Sequence, residues 1–329
     1  MIEKLKQILK YKTTEFFTNK LDYQFDIIGD IHGYSSVLTK LLILLGYRNE
    51  KGIWKHNDRK AIFVGDFVNR GPDSKGVMKI IRNMVENGYG YTVLGNHELN
   101  IIGYFTLNKK NQPYYQAPPS NKAQMEHIRN QFINNGDELN SYLKWLKTQP
   151  LFLDFGEFRV VHAYWSNKNI KLIKENIKDN KLTKKLIKDI FKGKSDFAKA
   201  VWQTTKGVEL RLPNDLIIKD NKNIRRNKFR IAWWKSPYRQ TFRNLSYENR
   251  FTLPKYTIPD QILFPYEIYK ADCPPVFFGH YCSRPSLLIP SSNICCTDAC
   301  VAARGVLAAY RWKGENTIKK ENFIFVHRK

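Results

Sequence analysis

The segment FDIIGDIHGY, residues 25–34, is an apolar run that ends in Asp30 and reaches His32 after one intervening residue, beside a glycine. The apolar part predicts a short β-strand. Asp and Gly end many strands and cap many helices, so an isolated Asp-x-His sequence usually marks a turn. The two polar residues indicate a site only if other strands of the chain end in the same way.

Four further apolar runs end in a carboxylate, an amide or an imidazole. They are AIFVGDFVNRG (Asp66), YTVLGNHE (Asn96 and His97), RVVHAYW (His162) and VFFGHYC (His280). Open α/β sheets place their active sites at the carboxyl ends of the strands. Carboxylates combined with imidazoles favour Mn, Fe, Zn or Ni over calcium, which prefers oxygen ligands. The five strand ends therefore predict a metal site.

Short apolar strands alternate with amphipathic helices in the first hundred residues, which is typical of a layered α/β domain. The runs YSSVLTKLLILLGY and DSKGVMKIIRNMVENGY predict helices, and NICCTD, GVLAAYRW and NFIFVHR predict antiparallel strands that complete a sheet. We expect one domain over residues 1–329, with insertions at about 103–150 and 165–260. The second insertion begins with a Lys-rich helical stretch that carries an apolar stripe (Ile170, Ile173, Ile177, Leu182, Leu186 and Ile190).

Composition and charge narrow the class of protein. A hydrophobic content of 42% and a charged content of 26% are typical of soluble globular proteins. The N-terminal segment does not have the pattern of a signal peptide, and no apolar window is long enough to cross a bilayer, so we expect a cytoplasmic protein without a membrane partner. The formal net charge of +25 favours an anionic partner. Lys is abundant along the whole chain, so the charge does not identify that partner.

The five cysteines all lie in the last quarter of the chain (Cys273, Cys282, Cys295, Cys296 and Cys300). An odd, clustered set without a secretory signal predicts reduced thiols. Cys296 and Cys300 have C-x3-C spacing but no second pair at the spacing of a zinc knuckle. We therefore interpret NICCTDAC as a buried strand that runs into a turn.

The strand-end motifs carry a resemblance to a known family. GDIHG, GDFVNRG, GNHE, VHA and GHY occur in this order, and NICCTDACVAARGVLAAYRW follows them. The chain resembles a calcineurin-like metallophosphoesterase of the phosphoprotein phosphatase type, in its bacterial branch. That branch includes diadenosine-tetraphosphate hydrolases and the phosphatase component of bacterial polynucleotide repair enzymes.

The resemblance implies a four-layer α/β/β/α sandwich with helical insertions and two divalent metal ions, with Mn²⁺ expected and Fe, Zn or Ni as alternatives. It implies that a hydroxide bridging the metals attacks phosphorus, that His97 protonates the leaving oxygen, and that Arg70 binds phosphate oxygens in a bidentate fork. The implied ligands are Asp30 and His32 for the first metal, Asn96, His162 and His280 for the second, and Asp66 as the bridge.

One position departs from the protein-phosphatase pattern. Asn69 stands where those enzymes usually carry an Asp that orients the general-acid histidine and favours its charged form. Either His97 works with less electrostatic help or another acid, such as Glu98, takes over this role. Arg230 and Arg239 are candidates for a second phosphate-binding group. Near them, Trp233 and Trp234 point to opposite faces of a strand-like run, so at most one of them could stack on a base.

Two substrate classes follow. We first expect a phosphatase that hydrolyses phosphate monoesters, either of phosphoproteins or of small molecules. The alternative is a hydrolase of dinucleoside polyphosphates or a phosphatase of nucleic-acid ends, although the basic helix has a structural explanation and nucleic acid is not favoured. An inactive metal-binding protein is disfavoured because the ligand set and the GNHE motif are intact. The oligomeric state is left open.

Overall fold

The computed structural model describes residues 24–133, 135–212, 218–219, 223, 225–247, 253–258, 266–283 and 288–328. Its strands are β1 (Gln24–Ile28), β2 (Arg48–Glu50), β3 (Ile53–Lys55), β4 (Arg59–Phe63), β5 (Gly90–Thr92), β6 (Phe152–Asp154), β7 (Arg159–Val161), β8 (Glu209–Arg211), β9 (Ile218–Lys219), β10 (Arg225–Arg226), β11 (Lys228–Arg230), β12 (Val276–Phe278), β13 (Ile294–Cys296), β14 (Val306–Trp312) and β15 (Phe323–His327). Its helices are α1 (Ser35–Leu44), α2 (Ser74–Glu86), α3 (Asn96–Phe105), α4 (Pro119–Gln131), α5 (Gly136–Leu146), α6 (Asn167–Asn176), α7 (Lys184–Lys192), α8 (Asp196–Lys206), α9 (Phe242–Leu245) and α10 (Val301–Arg304). None of the helices in these ranges is long and apolar enough to cross a membrane.

The first sheet contains five strands in the order β15-β14-β1-β4-β5. β1, β4 and β5 run parallel to one another, whereas β14 is antiparallel to β1 and β15 is antiparallel to β14. GVLAAYRW and NFIFVHR therefore form antiparallel strands as predicted. The carboxyl ends of β1, β4 and β5 all lie at one edge of this sheet.

The second sheet contains four strands in the order β13-β12-β7-β6. β12 pairs in parallel with both β13 and β7, while β6 is antiparallel to β7. The prediction that NICCTD is an antiparallel strand is wrong, because β13 runs parallel to β12. All three residues of β13 are buried, and a continuous buried run is what a covered parallel strand requires.

An apolar core separates the two sheets. The ring of Phe158 lies 5.4 Å from that of Phe25 in β1 and 5.8 Å from that of Phe277 in β12, measured between centroids. Alternate residues of a strand point to opposite faces, so Asp26 faces away from this core and forms a buried ion pair with Arg59 (Oδ1 to Nε, 2.9 Å). The sheets are stacked face to face and constitute the two inner layers of the sandwich.

Helices, and the segment that carries Trp233, cover the outer faces of the two sheets. The two helices predicted after the first strands are confirmed as α1 and α2, and α2 buries Val77, Ile81 and Met84 on the side of the first sheet. On the outer face of the second sheet, the ring of Phe278 lies 5.2 Å from the ring of Trp233, which is fully buried. These layers form an α/β/β/α sandwich, as expected from the sequence.

The basic stretch after Trp165 is not one helix. It forms α6 and α7, separated by a turn in which Asp179 and Asn180 have φ values of 50° and 54°. Among the residues of the predicted stripe, Ile170, Ile173, Leu182 and Ile190 are buried, but Ile187 is buried in place of Leu186. The predicted stripe assumes continuous helical geometry, and the turn resets the phase of α7. The division into one domain with two insertions stays a prediction.

Candidate active site

The strand ends predicted to carry ligands meet between the two sheets. Asp30 and His32 follow β1, Asp66 follows β4, and Asn96 follows β5 at the first turn of α3. His162 and His280 follow β7 and β12 of the second sheet. Backbone hydrogen bonds connect these ends: the His32 N–H donates to the Asp66 carbonyl (3.0 Å), and the Gly279 N–H donates to the His162 carbonyl (2.9 Å). All six predicted ligands lie at adjoining strand ends.

Asp66 lies at the centre of this group. Its Oδ2 atom is 3.3 Å from His162 Nε2, 3.9 Å from His97 Nε2 and 4.0 Å from His280 Nδ1. Burial opposes ionisation of this carboxyl, but the charges of His162 and His97 hold its pKa well below the usual value. The donor atoms form two groups, each within 4.8 Å, and Asp66 is the member common to both: His32, Asp66 and His97 in one, and Asp66, His162 and His280 in the other.

The amide of Asn96 indicates what the second group is suited to hold. Its oxygen faces acceptor atoms, at 2.9 Å from His280 Nδ1, 3.3 Å from Asp66 Oδ2 and 3.2 Å from the Thr205 carbonyl oxygen. A 180° rotation of the amide would relieve this crowding, and so would a cation held among these lone pairs. We favour the cation, because His162 Nε2 is also buried in this group and has no hydrogen-bond partner among the described residues.

The orientation of two histidines fits metal ligation. His162 Nδ1 lies 2.7 Å from the Val64 carbonyl oxygen, and His32 Nδ1 lies 3.3 Å from the Val68 carbonyl oxygen. A proton on each Nδ1 can be donated to these carbonyls, which leaves the Nε2 lone pair directed into the site. Metal-binding histidines are commonly fixed in this way through their second ring nitrogen. The residues present therefore fit a site for divalent cations.

Asp298 is a site residue that the sequence interpretation missed. Its side chain is buried, and its carboxylate accepts hydrogen bonds from the Cys282 N–H (2.7 Å) and the Cys300 N–H (2.8 Å). Burial and the charges of Asp298 and Asp66 raise the pKa of Asp30 well above its usual value. Three buried acids thus lie near one another. NICCTD also ends in a carboxylate after an apolar run, and this signal could have identified Asp298.

Tight backbone packing explains the glycines that precede the ligands. A Cβ on Gly95 would overlap Asp66 Oδ1, and a Cβ on Gly279 would overlap Asp30 Oδ1. The carboxylates can approach the next strand end only where no side chain intervenes. Non-glycine residues in the site also adopt the left-handed region, with φ values of 46° at Asp66 and 66° at His280. Such conformations cost of order 1–3 kcal/mol each and concentrate at functional sites.

His97 lies beside both Asn69 and Arg70. Asn69 Nδ2 is 3.0 Å from His97 Nδ1, and Arg70 Nη2 is 3.4 Å from His97 Nε2. The His97 backbone N–H donates to Asp66 Oδ1 (2.9 Å), which anchors the residue at the centre of the site. Burial lowers the pKa of His97 to about 4, since the charge of Asp66 only partly offsets burial and Arg70 lowers the pKa further. An amide partner supplies no charge to reverse this shift.

Asn69→Asp is expected to move the pH dependence of the reaction. A carboxylate beside the imidazole raises its pKa. A general acid works in its protonated form, so activity that depends on His97 is lost as the pH rises through that pKa, and a higher pKa extends activity to higher pH. The alkaline limb of kcat on an alkyl phosphate should shift upward. An unchanged pH profile would show that Asn69 is not coupled to His97.

Glu98 does not replace the aspartate that related enzymes usually carry at the position of Asn69. Its carboxylate accepts hydrogen bonds from the backbone N–H groups of Asp66 (2.8 Å), Phe67 (3.0 Å), Val68 (3.3 Å) and Gly95 (2.9 Å). Burial and the charge of Asp66 raise the pKa of Glu98 to about 7, and two of these backbone groups oppose the rise. Glu98 therefore fixes the loop that presents Asp66, and the structure places no contact between its side chain and the His97 ring.

Glu98→Gln is expected to lower the free energy of unfolding by about 3 kcal/mol or more. A glutamine keeps one acceptor oxygen and turns an NH₂ group toward backbone donors, and each hydrogen bond to a charged group contributes about 1.5–3 kcal/mol. Urea denaturation measures the change. Glu86→Gln removes only a surface i,i+4 ion pair and should change stability by less than about 1 kcal/mol. Equal stability of the two variants would contradict the proposed role of Glu98.

The expectation of five reduced thiols is wrong. Cys282 and Cys300 form a disulfide with a Cα–Cα distance of 4.5 Å, whereas Cys273, Cys295 and Cys296 are free. The two bonded residues are brought together because both of their backbone N–H groups bind Asp298. The disulfide connects the turn after His280 to the turn after β13. This pairing joins segments 18 residues apart, a proximity that sequence spacing could not reveal.

The two candidates for a second phosphate-binding arginine differ. Arg230 packs its guanidinium 5.4 Å from the centre of the Tyr281 ring, and its buried Nε has no hydrogen-bond partner among the described residues. After burial, its charge is the largest cause of the lowered pKa of His280. Arg239 is exposed and stacks on Tyr238. Arg230 is the candidate that lies next to the site.

The remaining sequence candidates lie in ordinary surroundings. Trp233 is fully buried, and the ring of Trp234 packs 5.1 Å from the ring of Tyr281, so both indoles contact other aromatic residues. His56 packs against Tyr47, and the exposed His127 lies 2.8 Å from the side chain of Gln131. His327 is exposed in β15. None of these residues contributes to the two donor groups around Asp66.

Comparison with known proteins identifies the family. The sequence profile described as calcineurin-like phosphoesterase matches residues 23–281. An asymmetrical bis(5'-nucleosyl)-tetraphosphatase PrpE from Halalkalibacterium halodurans is 44% identical over 167 residues, covering 40% of this chain and 65% of that protein. The PrpE protein of Oceanobacillus iheyensis is 31% identical over 140 residues, covering 42% of this chain and 54% of that protein.

These matches cover part of each relative: the chain spans about half the length of the first curated relatives it matches. Among solved structures, a cold-active protein tyrosine phosphatase aligns over 92% of this chain and 82% of its own, with 13% identity and a TM-score of 0.46. The profile match extends over more than half of the sequence and includes every strand-end motif from Asp30 to His280. The chain therefore belongs to the calcineurin-like phosphoesterases.

Proposed function

We propose that the chain hydrolyses dinucleoside tetraphosphates in a site that holds two divalent cations. The position of Asp66, common to both groups of donor atoms, supports a two-cation site. Similarity to proteins named bis(5'-nucleosyl)-tetraphosphatases supports the substrate class. Phosphate monoesters, the first expectation from the sequence, become the second choice, and the dinucleoside polyphosphates given there as the alternative take their place.

The proposed ligands are Asp30, His32 and Asp66 for one cation, and Asp66, Asn96, His162 and His280 for the other. Mn²⁺ is the proposed metal, with Fe, Zn and Ni as alternatives. Carboxylate, amide and imidazole donors together suit all four metals. When bound, the two cations neutralise phosphate charge and supply a hydroxide at neutral pH.

The side chains near Asp66 have separate proposed tasks. Arg70 binds two oxygens of the attacked phosphate, and the 3.4 Å distance from Arg70 Nη2 to His97 Nε2 supports a phosphate position beside the imidazole. His97 protonates the leaving oxygen. The pKa of His97 is about 4 in the protein alone, and the negative charge of a bound phosphate favours the protonated imidazole. Arg230 contributes further positive charge on the side of His280.

The pairing of Asn69 with His97 is the observation that favours a phosphoanhydride over an alkyl phosphate. Asn69 contributes no charge to the imidazole, so little of the His97 side chain is protonated at neutral pH. The phosphate released from a polyphosphate titrates near pH ~6, whereas an alkoxide is a far stronger base, close to hydroxide. A leaving group of low basicity needs little protonation, and a general acid that is seldom protonated is then sufficient.

Turnover of four substrates in Mn²⁺ tests the proposal: diadenosine tetraphosphate, a phosphoserine peptide, p-nitrophenyl phosphate and an end-phosphorylated oligonucleotide. We expect kcat/KM for the tetraphosphate to exceed that for the phosphopeptide and the oligonucleotide by at least about tenfold, which corresponds to about 1.4 kcal/mol in transition-state binding. Protein with Asp66→Asn, purified in parallel, reports contaminating activity. Preferential turnover of the phosphopeptide or the oligonucleotide would overturn the proposal.

A further inference from the structure

The carboxyl end of α8, within the second insertion, enters the active site. The Thr204 carbonyl accepts a hydrogen bond from the Ala163 N–H (2.9 Å), next to His162. The Thr205 carbonyl oxygen lies 3.2 Å from the side chain of Asn96. Two residues further on, a Cβ on Gly207 would overlap the Tyr281 hydroxyl. Residues 204–207 therefore contact the strand ends that carry three of the proposed ligands, and Lys206 lies among them.

Lys206 is held in place but is not neutralised. Its Nζ lies 3.9 Å from the centre of the Trp202 ring, one turn earlier on the same helix. The nearby carboxylate of Glu209 forms an ion pair with Lys228 instead. Among the described residues, no carboxylate lies within 4.0 Å of Lys206 Nζ, so the stacked ammonium keeps a charge available to an anion.

Lys206 also belongs to a local excess of positive charge. Burial lowers its pKa and the charges of Lys228 and Arg230 lower it further, whereas the charges of Glu209 and Asp66 raise it. Its charge also contributes to the lowered pKa of His97. Like charges held together cost free energy unless an anion binds between them. Arg70 already binds the attacked phosphate, so the positive charges of Lys206 and Arg230 are available to a further phosphate group.

We propose that Lys206 binds the phosphate adjacent to the attacked one and thereby selects polyphosphate substrates over phosphate monoesters. This proposal rests on the proposed function and names the residue that sets its specificity. The insertion supplies the selectivity, and the strand ends common to the sandwich supply the chemistry. Substrates with a single phosphate do not reach Lys206 and gain nothing from it.

Lys206→Gln tests the proposal. We expect its kcat/KM for diadenosine tetraphosphate to fall by about tenfold to a hundredfold, as for the loss of a hydrogen bond to a charged group, with the larger change in KM. The ratio of kcat/KM for the tetraphosphate to that for p-nitrophenyl phosphate should fall by at least about tenfold. Lys206→Arg should restore most of the loss. Lys199→Gln, the matched control, removes an exposed lysine of the same helix that is paired with Asp196, and kcat/KM for both substrates should be unchanged.

A second readout separates this proposal from the proposed function. Inorganic tripolyphosphate should inhibit p-nitrophenyl phosphate hydrolysis more strongly than orthophosphate does, and Lys206→Gln should remove that difference. If the wild-type protein fails to hydrolyse the tetraphosphate but shows this Lys206-dependent inhibition, only the proposed function is wrong. An equal loss on both substrates in Lys206→Gln, or wild-type protein that does not prefer tripolyphosphate, would overturn the role of Lys206.

Discussion

Asp66→Asn is expected to lower kcat/KM by about 10³-fold or more on every phosphate substrate and to reduce the metal content of the purified protein. Asp66 is the donor common to both groups of candidate ligands, and an amide removes the negative charge where two dications would meet. Each tenfold loss corresponds to about 1.4 kcal/mol, and cations contribute several kcal/mol to phosphoryl transfer. Steady-state kinetics and metal analysis by mass spectrometry measure the two effects.

The fold should survive this substitution. The Asp66 carboxylate accepts one backbone hydrogen bond, from the His97 N–H, and an asparagine oxygen can accept it as well. Asp137→Asn changes an exposed residue in the first turn of α5 and is the matched control, with activity and metal content unchanged. A protein with Asp66→Asn that keeps two metals and near-normal activity would refute the shared-ligand role.

His97→Ala is expected to lower kcat on an alkyl phosphate by about 10²-fold to 10⁴-fold, the usual range for a lost general acid. An alkoxide leaves poorly without a proton, whereas p-nitrophenolate and a nucleotide phosphate need little protonation. The loss on p-nitrophenyl phosphate and on diadenosine tetraphosphate should therefore stay below about tenfold. Metal content should be unchanged, because the proposed ligand set does not include His97.

A comparison among leaving groups is what distinguishes a general acid from a ligand or a structural residue. His127→Ala removes an exposed histidine on α4 and should leave all three rates unchanged. A loss of equal size on alkyl, aryl and anhydride substrates would exclude proton donation by His97. A loss of metal in His97→Ala would instead assign the residue to the ligand set, where its Nε2 lies 3.9 Å from Asp66 Oδ2.

The ligands can be predicted because each lies on a short motif at the end of an apolar run. Parallel strands bring their carboxyl ends to one edge, so Asp30, Asp66 and Asn96 are expected to meet without knowledge of the loops. Lys206 cannot be found this way, because it lies at the end of a helix in a Lys-rich part of the sequence and only tertiary packing of residues 204–207 distinguishes it from its neighbours. The sequence contains many other lysines in Lys-rich stretches, and sequence alone does not separate Lys206 from them.

Two errors share a physical cause. The antiparallel direction expected for β13 and the free thiols expected at Cys282 and Cys300 are both wrong, because local sequence does not encode which segments pair across long separations. β13 pairs in parallel with β12 at one edge of the second sheet, so the chain after β12 must cross to the opposite end of that strand before β13 begins. That crossing brings the turn after β13 against the turn after β12 and places Asp298 beside both cysteines.

Anomalous X-ray diffraction from crystals of the protein prepared with Mn²⁺ tests most directly whether the strand ends build one two-cation site. We predict two anomalous peaks per chain, both bordering the Asp66 carboxylate, with one peak on the side of Asp30 and His32 and the other on the side of Asn96, His162 and His280. A single peak, or peaks remote from Asp66, would contradict the two-cation site.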